Sequence, residues 1–203
     1  MCSTIKSYNV CFLGRTGNGK TSLVNALWNT HFPTDPLLPC TKELYSTTIL
    51  LPNSSTYEGI SIYDTPGIGE YSSNSKYERY YQHAISQADC VVLVTTFDRT
   101  DAPAQRLLKS LKNFLKQDSV VHFVIALSHI DSTIITDVNA NYIPWDDEHN
   151  VPTEMCLANI KEREELIHER FDNKFLPFNV VSVCPVRQYG LEALKDEIIN
   201  NLK

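Results

Sequence analysis

The chain has 203 residues, of which 42% are hydrophobic, and a formal net charge of −6 at pH 7. This length suits one domain with a two-sided core, so we expect a single domain over residues 1–203. The acidic balance excludes a general basic surface for nucleic acid, although it leaves room for a local basic patch. The apolar runs near residues 90–94 and 120–127 are too short to span a bilayer, no signal peptide is evident, and six cysteines lack a metal-binding spacing, so we expect a cytoplasmic protein without a membrane segment.

The first predicted strand, at residues 8–13, runs into a glycine-rich loop and then a predicted helix at residues 20–29. The loop has the form G-x-x-x-x-G-K-[ST], which is typical of phosphate binding. Its glycines let backbone N–H groups close around phosphates, and the helix N-terminus favours an anion. A glycine-rich turn without a ligand is the alternative. The expected nucleotide-binding residues here are Gly14, Arg15, Thr16, Gly17, Asn18, Gly19, Lys20, Thr21 and Ser22.

Two side chains of this loop have distinct expected tasks. Lys20 should reach the β- and γ-phosphates as a positive charge. Thr21 should offer its hydroxyl oxygen to Mg²⁺, which prefers oxygen ligands.

Residues 30–43 contain three prolines and are predicted to form a loop. One threonine of this loop should close on Mg²⁺ and the γ-phosphate. Thr41 is our candidate because it lies just before the next predicted strand, at residues 44–51, and Thr34 is the alternative. We expect that strand to run antiparallel at an edge of the sheet, because only a short hairpin separates it from the strand at residues 59–63.

The strand at residues 59–63 leads into Asp64-Thr65-Pro66-Gly67. An aspartate that follows an apolar strand can hold Mg²⁺, usually through a water molecule. The backbone N–H of Gly67 can meet the γ-phosphate and report its loss, which is the order–disorder switch of nucleotide hydrolases. Alone, this tetrapeptide is an ordinary strand-to-turn sequence, but its place after the glycine-rich loop supports the functional interpretation.

Strands and helices alternate along the rest of the chain. Further strands are predicted at residues 90–96, 120–127 and 178–183, and further helices at residues 77–88, 103–116, 154–171 and 190–202. This order predicts a three-layer α/β fold with a mostly parallel six-stranded sheet, one antiparallel edge strand and helices on both faces. Ligands should bind at the carboxyl edge of the sheet, where the motifs fall.

Two later segments are candidates for base recognition. Ser128, His129 and Asp131 follow the strand at residues 120–127, and Asp131 can accept two hydrogen bonds from guanine N1 and N2 that adenine cannot donate. The His129 ring could stack on the purine. Alone, this segment reads better as an ordinary loop. The segment Ser182, Val183 and Cys184 is a loose match to one that donates a backbone N–H to guanine O6.

With these five elements in order, the chain resembles the Era-like branch of small GTPases, in the TRAFAC class. It is most similar to bacterial, often prophage-encoded GTPases that are grouped with ribosome-associated G domains. The glycine-rich loop is also similar to that of immunity-associated GTPases. The resemblance covers nearly the whole chain and rests on the segments at residues 14–27, 39–43, 64–70, 97–102 and 190–194.

The resemblance implies a P-loop G domain that binds GTP or GDP with Mg²⁺ and hydrolyses GTP slowly as a molecular switch. Lys20, Thr41 and Gly67 are the catalytic groups that it implies, and Thr21, Thr41 and Asp64 are the metal ligands. It leaves the effector open between a protein and a ribonucleoprotein. A second copy of the chain, bound across the nucleotide, is a further expected partner.

The chain departs from related GTPases at two positions. Ile68 stands where Ras-type enzymes have a glutamine, and an isoleucine cannot orient the attacking water. Gly17 stands where some Era-like relatives have a K⁺-recruiting asparagine, so a K⁺ site is not expected. Two other functions therefore stay open: a nucleotide-binding interaction module with negligible turnover, and an ATP-using P-loop protein. Residues 132–153 form either an insertion that packs Ile143 and Trp145 against the domain or a partner surface.

Overall fold

The computed structural model describes residues 6–35, 41, 43–51, 56–67, 75–96, 120–132, 143–171 and 177–200. The elements in these ranges are, in chain order, β1 (Ser7–Leu13), α1 (Lys20–Trp28), β2 (Tyr45–Leu50), β3 (Gly59–Asp64), α2 (Ser75–Ser86), β4 (Cys90–Thr96), β5 (His122–Ser128), a 3₁₀ turn (Ile130–Ser132), β6 (Trp145–Asp146), β7 (Val151–Pro152), α3 (Glu154–Arg170), β8 (Phe178–Ser182) and α4 (Leu191–Ile199).

Six of the strands form one sheet in the order β2-β3-β1-β4-β5-β8. Neighbouring strands are parallel except for β2, which pairs antiparallel with β3 at one edge. The inner strand β4 is buried at every position, which explains its unbroken apolar run. The predicted fold class, including the antiparallel edge strand, is confirmed.

The predicted strand bounds agree with the observed ones within two residues. Helix α2 begins and ends two residues before its predicted bounds. Helix α4 begins one residue after its predicted start, and its predicted end lies outside the described residues. The predicted helix at residues 103–116 and the motif at residues 97–102 lie outside the described residues.

Apolar side chains fill both faces of the sheet, as the three-layer prediction requires. On one face α2 and α3 pack against the sheet, with Ile85, Ile160 and Ile167 fully or nearly buried. On the other face α1 and α4 contribute buried residues such as Leu23 and Leu194. The two helical layers therefore cover the sheet on both faces, and the carboxyl ends of its parallel strands lie at one edge.

The segment between β5 and α3 includes a short hairpin, β6–β7, that packs on the loop before α4. Trp145 is buried and contacts Tyr189 edge to face, with 5.6 Å between ring centroids, and the Arg187 guanidinium lies 5.4 Å from the Trp145 ring centroid. The expected packing of Trp145 is therefore present. The matching expectation for Ile143 is wrong, because its side chain is 68% exposed.

In the described part of the chain, no helix is both long enough and apolar enough to cross a membrane.

Candidate nucleotide-binding site

The glycine-rich loop lies between β1 and α1, at the carboxyl edge of the sheet. Gly17 and Gly19 have φ of +81° and +78°, a region that side chains rarely adopt, so these positions require glycine. The buried ammonium group of Lys20 donates to the carbonyl oxygens of Gly14 and Arg15, both at 3.0 Å. The loop thus curls around the Lys20 Nζ atom at the start of a helix, which is the arrangement that phosphate binding requires.

Three oxygen-bearing side chains from three separate segments meet beside this loop. The hydroxyl of Thr21, in the first turn of α1, donates to Asp64 Oδ2 at 2.6 Å. The same hydroxyl lies 3.0 Å from the hydroxyl of Thr41, in the segment between α1 and β2. Thr34, the alternative to Thr41, is exposed. The structure therefore brings together the three predicted Mg²⁺ ligands.

The residues of this cluster fit a hard divalent cation. All the donor atoms are oxygens, which Mg²⁺ prefers. The second carboxylate oxygen of Asp64, Oδ1, is buried and has no hydrogen-bond partner in the described ranges. A buried, unpaired carboxylate oxygen is unfavourable without a cation or a donor, so this atom points to a ligand.

The ionised form of Asp64 is also disfavoured by its surroundings. Burial raises the pKa of this carboxyl group to about 6, although the hydrogen bond from Thr21 and the charge of Lys20 act in the opposite direction. Ionised Asp64 is therefore costly in the ligand-free protein, and a bound cation would offset that cost.

The segment after β3 is held against the glycine-rich loop. Thr65 donates through its hydroxyl to Phe12 O at 2.8 Å, and the Tyr81 hydroxyl donates to Pro66 O at 2.9 Å. Gly67 follows directly, and a Cβ atom added there would overlap Thr16 Oγ1 and clash with the Thr16 backbone. Gly67 is thus required by a close approach of two backbones.

The expected base-recognition residues follow β5 and contact the same loop from the other side. Ser128 Oγ lies 2.8 Å from Asn18 O and 3.0 Å from Thr95 O, and is 3.1 Å from His129 Nδ1. The His129 ring packs on Gly19, since a Cβ atom added at Gly19 would lie 2.9 Å from His129 Cε1. His129 therefore braces the phosphate-binding loop.

Asp131 and Cys184 lie together, which joins the two expected base-recognition segments. The pKa of the Cys184 thiol is raised to about 11, mainly by burial and further by the nearby Asp131 carboxylate. Asp131 itself is half-buried and lies in the 3₁₀ turn after β5.

The other two residues of the last segment have different partners. The Ser182 hydroxyl donates to Glu164 of α3 at 2.5 Å. The Val183 N–H donates to Leu127 O at 2.8 Å, and the Cys184 N–H donates to Tyr189 O at 3.0 Å. The backbone N–H groups of Val183 and Cys184 therefore donate to protein carbonyl oxygens in this structure.

Three supporting contacts near the base-recognition loops were not predicted. Glu164 anchors Ser182 from α3, and Arg187 ties the loop before α4 to Asp147 of the hairpin. Asn150 also donates to Arg187 O at 3.0 Å. These contacts join elements that are distant in sequence and carry no motif, so no local pattern indicates them.

The glycine-rich loop between β1 and α1, at the carboxyl edge of a mostly parallel sheet, is typical of P-loop nucleotide-binding proteins. A family model described as 50S ribosome-binding GTPase matches residues 9–129, more than half of the chain. The chain belongs to this family of GTPase domains. No curated protein matches it.

Solved structures with the same fold include several G domains of the TRAFAC class. A bacterial selenocysteine-specific elongation factor, EF-Sec, is 18% identical with a TM-score of 0.64, over 98% of this chain and 29% of that one. Era in complex with MgGDPNP and a 16S ribosomal RNA segment is 19% identical with a TM-score of 0.63, over 98% of this chain and 57% of that one.

The G domain of the T. maritima FeoB iron transporter is 20% identical with a TM-score of 0.57, over 97% of this chain and 99% of that one. The chain thus matches an isolated G domain along its length but spans only 29% of EF-Sec and 57% of Era. At these identities the likeness is one of fold, and it confirms the Era-like resemblance at that level.

The raised pKa of Asp64 predicts how the stability of the ligand-free protein depends on pH. Because the folded-state pKa lies above the ordinary value, folding is favoured while Asp64 is protonated, and stability is lost as the pH rises from about 4 through 6. Asp64→Asn removes this effect. We expect its stability relative to the parent to rise by about 2–3 kcal/mol between pH 4 and pH 7.5.

Urea denaturation at several pH values, without nucleotide or Mg²⁺, would measure this difference. Asp196→Asn is the matched control, because it makes the same change of charge at an exposed position on α4. An equal pH dependence in both variants would contradict the assignment to the buried carboxyl group.

Proposed function

We propose that this chain is a GTP-binding protein that hydrolyses GTP slowly with Mg²⁺ and acts as a molecular switch, as one G domain over residues 1–203. The observation that carries the proposal is the meeting of Thr21, Thr41 and Asp64 beside the glycine-rich loop. Thr41 comes from the segment between α1 and β2. Among the described residues, this segment is linked to the cluster only through the Thr41 hydroxyl. A triphosphate with its cation would hold that segment in place, and its loss would release it.

Each polar group then has a task in the reaction. Lys20 binds the β- and γ-phosphates, and the Gly67 N–H donates to a γ-phosphate oxygen. Thr21 and Thr41 would contact Mg²⁺, and Asp64 would hold it through water. When bound, Mg²⁺ supplies charge neutralisation at the β- and γ-phosphate oxygens.

Asp131 selects guanine in this proposal by accepting hydrogen bonds from N1 and N2. The nearby Cys184 thiol supports this role, because it places the second base-recognition segment beside the Asp131 carboxylate. His129 and Ser128 hold the phosphate-binding loop against the base-recognition loop, so that base and phosphates are positioned together. This assignment favours GTP over ATP.

A nucleotide-binding module with negligible turnover is the second candidate, and Ile68 favours it. An isoleucine offers no polar group to the attacking water, so hydrolysis depends on the charges of the phosphate site. The family description and the Era complex with ribosomal RNA support a ribonucleoprotein effector for this chain, although a protein effector fits as well. We also propose that a second copy of the chain binds across the nucleotide and that the protein is cytoplasmic.

Substitution of the residue assigned to phosphate binding and of one assigned to metal binding should distinguish their roles. We expect Lys20→Ala to weaken GTP binding by about 100-fold, because charge-assisted hydrogen bonds to the phosphates are lost. Thr21→Ala should remove the gain in affinity that Mg²⁺ gives, while GDP still binds. Titration of a fluorescent GTP with and without Mg²⁺ would measure both effects.

Thr21→Ser is the matched control, because it keeps the hydroxyl group. If Lys20→Ala or Thr21→Ala bound GTP with Mg²⁺ like the parent, the assignment of the phosphate site would be wrong.

Nucleotide choice tests Asp131. We expect the parent to bind GTP and GDP about 10- to 100-fold more tightly than ATP, because adenine leaves the half-buried Asp131 carboxylate without the donors that guanine N1 and N2 supply. Asp131→Asn should shift the preference toward xanthine nucleotides, whose 2-oxo group accepts from the asparagine amide. Asp196→Asn, with the same charge change on the exposed face of α4, should keep the parent's preference. Equal affinity of the parent for ATP in calorimetry would favour an ATP-using protein instead.

The rate of hydrolysis distinguishes a slow enzyme from a binding module. We expect single-turnover GTP hydrolysis far below one per second, on the order of intrinsic Ras-like rates. Ile68→Ala should change this rate little, because no polar group is lost. A phosphate-release assay with Mg²⁺ would measure both rates. No release above the buffer control would support the module, and several turnovers per second would contradict the slow mechanism.

A further inference from the structure

The hydroxyl of Thr16 lies at the contact between the glycine-rich loop and the segment after β3. It is the nearest heavy atom to the position that a Gly67 Cβ would occupy. Thr16 is half-buried, and its hydroxyl has no hydrogen-bond partner in the part of the chain that the structure describes. A polar group that is held in a confined place without a protein partner is available to a ligand.

The position of this contact is fixed from both sides. The segment that carries Gly67 is held by two hydrogen bonds: Thr65 donates to Phe12 O of β1, and Tyr81 of α2 donates to Pro66 O. On the other side, Asn18 holds the glycine-rich loop by donating to Val94 O at 3.0 Å. The Thr16 hydroxyl therefore has a defined place beside Gly67, which is the kind of preorganisation that transition-state stabilisation needs.

We propose that the Thr16 hydroxyl orients the water that attacks the γ-phosphate, and so is a catalytic residue of this chain. The inference rests on the proposed function, in which the Gly67 N–H contacts the γ-phosphate. A group beside Gly67 is then next to the terminal phosphate and the incoming water. Ile68 provides no polar atom there, whereas Thr16 provides a hydroxyl that can accept a hydrogen bond from water or donate one to it.

The chemical step needs no base from the protein. The water oxygen forms a bond to the γ-phosphorus, and the bond from that phosphorus to the β–γ bridging oxygen breaks, with its electron pair passing to GDP. The water proton passes to a γ-phosphate oxygen. Thr16 fixes the direction of the water and is unchanged at the end, so its effect is on the rate and not on the products.

Thr16→Val and Thr16→Ser together test this role. Valine has nearly the same shape as threonine but lacks the hydroxyl, whereas serine keeps it. We expect Thr16→Val to lower the single-turnover rate of GTP hydrolysis by about tenfold or more, as expected for one hydrogen bond made in the transition state. Its affinity for GDP should stay within about threefold of the parent's. Thr16→Ser should retain most of the rate.

A binding measurement gives a second readout. Aluminium fluoride with GDP mimics the transferring phosphoryl group and its in-line ligands, so the parent should bind GDP more tightly when aluminium fluoride and Mg²⁺ are present. Thr16→Val should lose about tenfold of this gain, and Thr16→Ser should keep it. Calorimetric titration of all three proteins, with GDP alone as the folding control, would show the difference.

Two results would overturn the inference while leaving the proposed function intact. One is a Thr16→Val protein that hydrolyses GTP as fast as the parent or faster. The other is loss of rate in Thr16→Ser as great as in Thr16→Val, which would assign the effect to packing. By contrast, a parent protein that neither binds GTP nor releases phosphate would contradict the proposed function itself, and the water-orienting role with it.

Discussion

The candidate site depends on how the glycine-rich loop is fastened to the carboxyl ends of β4 and β5. Asn18 donates to Val94 O, and Ser128 Oγ lies within hydrogen-bond distance of Asn18 O and Thr95 O. A serine hydroxyl has one hydrogen, so it donates to one of these carbonyls and can accept from His129 Nδ1–H. One buried hydroxyl thus joins the phosphate loop, β4 and the base-recognition loop, and a shift of any of the three would displace the others.

These hydrogen bonds hold the loop beside Asp64, a carboxylate whose burial is energetically unfavourable. Asp64 is fully buried and Lys20 is nearly so, yet Lys20 binds loop carbonyls while one oxygen of Asp64 has no partner among the described residues. Burial of this carboxylate with an unpaired oxygen costs stability, and such costs are common at functional sites.

The sequence predicted the parts of this site that are encoded locally. The strand–loop–helix pattern located Lys20 and Thr21, and the end of an apolar strand located Asp64, because side-chain periodicity and glycine content are local properties. The choice of Thr41 over Thr34 also agrees with the geometry, because the Thr41 hydroxyl lies beside Thr21 whereas Thr34 is exposed. The edge position of β2 followed from the short connection to β3.

What the sequence could not predict depends on contacts between distant segments. Nothing local indicates that the His129 ring packs on Gly19 or that Ser182 turns away to bind Glu164. The contact of Thr16 with Gly67 is of the same kind, since the two residues are brought together only by the sheet. A missing glutamine after Gly67 suggests an incomplete catalytic site when the motif is considered alone. In the folded chain, the Thr16 hydroxyl of the glycine-rich loop lies beside Gly67, so a motif that lacks one polar group can still have a polar side chain next to it from another segment.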